Sequence, residues 1–252
     1  MSILLAIFLG IVQGLTEFLP VSSSGHLILF QHLFDMPDDM LLFNIILHVA
    51  TLLAVMIVFR KKIFQLVRRP FNKMNLMLLI STAVTVTFVL LFKDFIDSTL
   101  HHRILPLTFL VTAIILFLTT FINTRVSKKE NVGFKSALLV GFTQFIAVIP
   151  GISRSGTTIS TLLVTGVKRE TAAEFSFLMS IPIIIASFVY ELLNVRGSGA
   201  TLDVVPTIFA FIAALLSGII AIKFMLRVIQ RVKLHWFSLY LVILAVVCLI
   251  IF

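Results

Sequence analysis

The sequence predicts an all-α polytopic membrane protein, with six transmembrane helices and two re-entrant helical hairpins arranged as an inverted-topology repeat. Three observations carry this expectation. Of 252 residues, 60% are hydrophobic and only 12% charged, whereas soluble domains carry roughly a quarter charged residues. Long apolar runs recur from end to end, and about 20 apolar residues suffice to cross a hydrocarbon core of roughly 30 Å. Two of the apolar regions are interrupted by polar turns of similar spelling. No soluble-like stretch breaks the series, so the expectation is one membrane domain over residues 1–252, its halves lying at about 1–123 and 134–252.

Taken in order, the region 3–34 is apolar but broken at Pro20-Val21-Ser22-Ser23-Ser24-Gly25-His26. The runs at about 40–59, 76–92 and 105–123 are each long enough to span. The region 134–166 is broken at Pro150-Gly151-Ile152-Ser153-Arg154-Ser155-Gly156, and the runs at about 171–190, 204–222 and 236–252 complete the six spans. Each half of a broken region is too short to cross, so both read as re-entrant hairpins. Backbone freed by such a break is tolerated at membrane depth only where protein buries it or water reaches it. Ser2 to Leu19 has no Lys or Arg before it and no small-residue cleavage site after it, so it is expected to be mature structure. Cys248, alone inside the last run, excludes a disulfide framework and is expected to pack.

The formal net charge of +9 raises the question of nucleic acid. The basic residues instead form short clusters between apolar runs, the pattern of the positive-inside rule, and no nucleic-acid partner is expected. Residues 60–73 hold six Lys and Arg, 125–135 four, 168–169 two and 223–233 four. The loops at 93–103 and 191–203 hold only Lys93, Arg103 and Arg196, while Asp35, Asp38, Asp39, Asp94, Asp97, Glu191 and Asp203 gather on that poorly basic side. His101 and His102 read as solvated loop residues. Both termini are therefore expected outside the cytoplasm, which sends the first hairpin in from outside and the second from the cytoplasm, each followed by three spans. An offset of 131 residues matches Gly10 with Gly141, Gln13 with Gln144, Ser22 with Ser153, Ser24 with Ser155 and Gly25 with Gly156. Broken helices at corresponding positions of two halves point to a midplane site.

The second turn describes an anion site. Ser153 and Ser155 are N-cap types before a new half-helix containing Thr157 and Thr158, so free N–H groups and a positive helix end meet at Arg154, whose guanidinium can fork two phosphate oxygens. The alternative is that Arg154 pairs with Glu17 or backbone carbonyls as a structural tie, although an intramembrane Arg is costly enough to make function the default. In the first turn, Ser22, Ser23, Ser24 and His26 offer hydroxyls and a titratable base that could serve as nucleophile and base; equally, the serines could cap the helix while His26 packs. Glu17 lies one turn before the break and four residues after Gln13, on the same helix face. A buried carboxylate there reads as a ligand for a divalent cation, Mg²⁺ or Ca²⁺. Asn44, His48 and Thr51 share a helix face, and Glu174 opens the matching helix of the second half. His48 could instead satisfy a neighbouring helix, and Glu174 could reach Lys168 or Arg169.

The stretch Gln13 to His26, together with Pro150 to Thr158, Glu174-Phe175-Ser176-Phe177-Leu178 and Ile181-Pro182, resembles the bacterial undecaprenyl-diphosphate phosphatases, also called bacitracin resistance proteins. The resemblance runs essentially the whole chain, in order. It implies an enzyme of the bacterial inner membrane that hydrolyses undecaprenyl diphosphate to undecaprenyl phosphate with a divalent cation, recycling the lipid carrier of cell-wall polymer synthesis. Its partners would be the polyprenyl diphosphate lipid and membrane lipid; a homodimer is allowed but not specified. By the same resemblance Glu17 belongs to the metal-binding acidic motif, with Gln13 beside it. Ser23 becomes the candidate nucleophile, His26 its base or an alternative nucleophile, and Arg154 the phosphate clamp, with Ser153, Ser155 and Thr158 lining the pocket. Three positions depart from the commonest pattern: Gln13 stands where many members have Glu, Asn44 and His48 where an acid and a Gln are frequent, and Tyr240 is followed by Leu rather than Arg.

Two rival classes remain on the sequence. Inverted repeats with a midplane site also suit a transporter that flips the carrier lipid. An ion channel fits less well, having no evident use for a nucleophile, a base and a phosphate clamp.

Overall fold

The structure is a computed structural model that describes residues 1–37, 40–98, 102–122, 129–195, 203–231 and 234–252. Asp38, Asp39, His101, Arg125, Lys128, Arg196 and Lys233, which entered the charge count or the loop assignment above, lie outside the described residues. Every described element longer than a single turn is an α-helix, and among the described residues the only β-type pairing is an isolated bridge between Lys129 and Val167.

The first broken region gives α1 (Ile3–Phe18) and α2 (Ser23–Leu33), the second α8 (Phe134–Ile146) and α9 (Arg154–Val164). At 1.5 Å per residue the longest of these four reaches about 24 Å, short of a hydrocarbon core of roughly 30 Å. The remaining apolar runs become α3 (Leu41–Val58), α5 (Lys73–Leu91), α7 (Leu105–Ile122), α10 (Arg169–Val195), α11 (Val204–Arg231) and α12 (His235–Ile251). Of these, α3, α5, α10 and α11 are long and apolar enough to cross a membrane, while α7 and α12, at 18 and 17 residues, sit at the margin. The chain is a multi-pass helical membrane protein. Two further helices were not expected from the apolar runs: α4 (Arg60–Arg68), which carries much of the first basic cluster and buries no residue, and α6 (Lys93–Ser98). Helix α11 also runs nine residues past the end of its apolar run, because Lys223 and Arg227 are good helix formers that can emerge at a membrane surface.

Side-chain caps start the helices where the sequence carries a Ser or Asn at the right place. Ser2 accepts from the Leu5 N–H, Asn72 from Asn75, Ser22 from Gly25 and Ser153 from Gly156. Each such cap is worth about 1 kcal/mol.

Helix packing is reciprocal between the two halves of the chain. Helix α1 packs along α11, α8 along α5, and α7 along α12. Small residues permit the close approach. A Cβ on Gly14 would overlap the α11 backbone at Ala214 and Gly218, and one on Gly10 the backbone at Ala210. Without a hydrophobic drive in lipid, such small-residue contacts and interhelical hydrogen bonds hold helices together. Ser81 Oγ on α5 donates to the Ala137 carbonyl of α8 at 2.9 Å, and Thr85 Oγ1 to that of Gly141 at 2.9 Å. The two breaks meet each other in the same reciprocal manner: Gly25 lies against Gly151, and Gly156 against Pro20. Under the 131-residue offset, Gly25 corresponds to Gly156 and Pro20 to Gly151, so these are one contact made twice. Basic clusters converge at one end of the bundle, where Lys62 pairs with Glu174 at 2.7 Å, Lys168 with Glu130 at 2.7 Å, and Arg169 donates to the Ile229 carbonyl at 3.1 Å.

Candidate active site

The crossing of the two breaks leaves a cavity of about 270 Å³. Its polar wall comes from the end of α1 and the start of α2 (Thr16, Glu17, Ser22, Ser23, Ser24), from His48 of α3, from Gln144 of α8 and from Ser153 and Arg154 at the start of α9. Ile45, Val148, Ile152, Ile183, Ile184 and Phe188 supply an apolar wall. The site thus combines a polar end and an oily flank.

Glu17 is the hub of the polar end. Its carboxylate is buried, with Oε1 accepting from Arg154 Nη2 at 2.8 Å, and Oε2 accepting from Ser23 Oγ at 2.5 Å and from Gln13 Nε2 at 3.0 Å. The tie between Arg154 and Glu17, the alternative that the sequence left open, is therefore present. It uses only one of the two terminal guanidinium nitrogens, for Nη1 is buried with no partner among the described residues. Ser23 and Arg154 each open the second half-helix of their hairpin and correspond under the 131-residue offset. The two helix N-termini therefore present a hydroxyl from one half and a guanidinium from the other. Ser22, the N-cap of α2, is held at φ 68°, a region costly for a residue with a Cβ, by about 1–3 kcal/mol.

His26 takes the packing alternative that the sequence left open, rather than the place of a base beside Ser23. Its Nδ1 donates to the Ser22 carbonyl at 2.6 Å, which in the neutral ring leaves Nε2 to accept from the Tyr240 hydroxyl at 2.7 Å. Both ring nitrogens are thus engaged away from Ser23, the ring stacks on Tyr240, and His26 is not on the cavity wall. The hydrogen-bond acceptor of Ser23 is Glu17. Of the serines and threonines expected to line the pocket, Ser22, Ser24 and Ser153 reach the wall. Ser155 instead donates to the Leu19 carbonyl at 2.9 Å, tying one break to the other. Thr158 is buried against Ser176 at 2.6 Å, and Thr157 is buried behind the wall, its hydroxyl without a partner among the described residues. Asn44 accepts from Gln31 at 2.8 Å behind the wall, and Glu174 pairs with Lys62 rather than with Lys168 or Arg169. Lys62 lies more than 100 residues away in the chain, so spacing could not have revealed that partner.

Among the described residues, no three His, Cys, Asp or Glu side chains gather as a metal cage. The fit to a divalent cation rests on two other features. His48 Nδ1 donates to the Asn44 carbonyl at 2.8 Å, so in the neutral ring the Nε2 lone pair faces Glu17 Oε2 across 3.8 Å. Gln13 Oε1 is buried without a partner among the described residues. An imidazole lone pair facing a carboxylate suits a cation that takes its other ligands from phosphate oxygens, the usual habit of Mg²⁺, and Gln13, which turns its N–H to Glu17, would reach such a cation only by flipping its amide.

Fold and cavity together define a multi-pass helical membrane protein with an anion-competent site between two broken helices. The family profile for "Bacitracin resistance protein BacA" matches residues 6–247. An undecaprenyl-diphosphatase of Carboxydothermus hydrogenoformans is 42% identical over 249 residues, covering 97% of this chain and 95% of that protein. One from Treponema denticola is 42% identical, with 96% and 94% covered, and undecaprenyl-diphosphatase 3 of Bacillus cereus is 38% identical, with 95% and 93% covered. The chain belongs to the bacitracin resistance protein family.

Proposed function

We propose that this protein is an undecaprenyl-diphosphate phosphatase that releases inorganic phosphate and returns undecaprenyl phosphate to cell-wall polymer synthesis. The observation that carries this reading is the Ser23–Glu17–Arg154 constellation: a hydroxyl donating to a carboxylate at 2.5 Å, beside a guanidinium with one nitrogen unpartnered among the described residues. Ser23 Oγ attacks the terminal phosphorus and passes its proton to Glu17. The bond from that phosphorus to the bridging oxygen breaks, and undecaprenyl phosphate leaves. Water then cleaves the phosphoserine, giving inorganic phosphate and restoring Ser23. Arg154 and the N-terminal N–H groups of α2 and α9 offset the negative charge of the transferring group. Glu17, with Gln13 behind it and His48 opposite, would hold a Mg²⁺ or Ca²⁺ ion, which supplies further charge neutralisation when bound. The apolar flank suits the first units of a prenyl chain.

The reading extends to the layout: one membrane domain in the inner membrane, with six spans, two re-entrant hairpins and both termini outside the cytoplasm. Reciprocal helix packing and the convergence of basic clusters at one end support it. A reporter fused at Phe252 should be inactive if it works only in the cytoplasm. Phosphate release from undecaprenyl diphosphate by purified protein in detergent tests the activity, because no sidedness exists there. A protein that only flips the carrier would release none.

A further inference from the structure

The cavity wall contains one side chain that neither the catalytic constellation nor the sequence motifs explain. Gln144 lies on α8, two residues before that helix ends, and is 1% exposed. Neither its Oε1 nor its Nε2 has a hydrogen-bond partner among the described residues. Leaving such an amide unsatisfied costs free energy at both ends, so its retention calls for a ligand that the free protein lacks. Its counterpart under the 131-residue offset shows the contrast. Gln13 spends its amide N–H on Glu17 and lies behind the wall. Gln144 has Val148 where Gln13 has Glu17, so no carboxylate engages it and it remains on the wall.

Resting on the phosphatase reading, we infer that Gln144 is a substrate-binding residue whose side-chain amide donates to a diphosphate oxygen, working with the unpartnered Arg154 Nη1. The diphosphate is thereby gripped by the second half of the chain, while Ser23 and Glu17 of the first half carry the attack. Two N–H donors on a neutral amide suit an anionic oxygen and add no charge that would trap the departing monophosphate. Because the amide has no protein partner to lose, its removal leaves the free protein's stability intact. A purely structural glutamine would behave in the opposite way.

The test is Gln144→Met, close in volume and without the polar atoms. It is read by phosphate release from undecaprenyl diphosphate across a substrate series and by thermal unfolding without substrate. The expected result is a fall in kcat/KM on the order of ten- to a hundredfold, the size of a lost hydrogen bond to a charged group, with an unchanged or raised unfolding temperature. Normal kinetics, or a lowered unfolding temperature that accounts for the lost activity, would overturn the assignment. A second measurement separates this from the phosphatase reading itself: stabilisation of the protein against heat by inorganic pyrophosphate. Wild type that releases no phosphate defeats the phosphatase reading. In that case pyrophosphate stabilisation lost in Gln144→Met still upholds the ligand role, and stabilisation equal in both proteins removes it.

Discussion

Arg154 tests whether the pair it forms with Glu17 is a structural tie, a phosphate clamp, or both. Arg154 Nη2 holds Glu17 at 2.8 Å while Nη1 has no partner among the described residues, so the tie and the proposed clamp would fall to different nitrogens. Arg154→Lys can keep the ion pair but cannot also fork a phosphate. Losing one charge-assisted hydrogen bond costs about 1.5–3 kcal/mol, so kcat/KM should drop by roughly 10- to 150-fold with little change in unfolding temperature. Arg154→Met is harsher, for it leaves a buried carboxylate uncompensated at a cost of about 3–5 kcal/mol. Adding Glu17→Gln to Arg154→Met removes the stranded charge and should recover most of that stability while leaving the enzyme inactive. The assays are phosphate release in detergent and thermal unfolding of the purified variants. Arg154→Lys turning over within about twofold of wild type would refute the clamp, since a lost fork is worth at least tenfold. A double variant no more stable than Arg154→Met would refute the accounting for the buried pair.

Tyr240→Phe removes the hydroxyl that faces His26 Nε2, so it should lower stability by about 1–3 kcal/mol, seen as a drop in unfolding temperature, while kcat/KM changes by less than about threefold; a larger kinetic loss would put His26 in the chemistry. Gly14→Ala drives a methyl into the α11 backbone and should destabilise by about 1–3 kcal/mol, whereas Gly133→Ala, with open space around it, should be neutral by thermal unfolding. Gln13→Glu adds a carboxylate beside Glu17 and should lower the Mg²⁺ concentration for half-maximal activity with the saturated rate little changed; a cation titration indifferent to this substitution would remove Gln13 from any metal role.

The breaks, the long apolar helices and the residues at the crossing were legible because their signals are local. Apolar run length reports a span, and a Pro-bounded polar turn reports a break. Ser22 and Ser153 each stand three residues before the Gly whose N–H they cap. Helix α4 was hidden because its basic amphipathic pattern reads equally as a charged loop. What stayed illegible depends on partners distant in the chain. Nothing near His26 announces Tyr240, and nothing near Glu174 announces Lys62. Gln144 carried a visible signal, its match to Gln13. That match marks a repeat, however, and says nothing of which glutamine keeps a partner. Only the pairing of Glu17 with Gln13, set against Val148 in the other half, separates the two.

That difference bears on where charge is placed at the crossing of the two breaks. The crossing brings Glu17 and Val148, Ser22 and Ser153, and Ser23 and Arg154, pairs related by the 131-residue offset, to one cavity, so identical side chains at such a pair would both line it. Two arginines at the positions of Ser23 and Arg154 would repel each other and leave no nucleophile; two serines would leave the diphosphate charge unopposed. Two carboxylates at the positions of Glu17 and Val148 would sit near each other and repel the substrate, and like charges so placed cannot both ionise cheaply. One carboxylate with a hydroxyl from the first half, and one guanidinium with an amide from the second, gives a cavity with a donor side and, on the phosphatase mechanism proposed above, an attacking side. The Ser153 and Ser22 caps, by contrast, can stay identical, because a helix N-terminus favours anions whichever half contributes it. Asymmetry of charge is therefore needed where formal charge or the reacting oxygen sits, and Glu17 against Val148 and Ser23 against Arg154 are the pairs on the cavity wall that supply it.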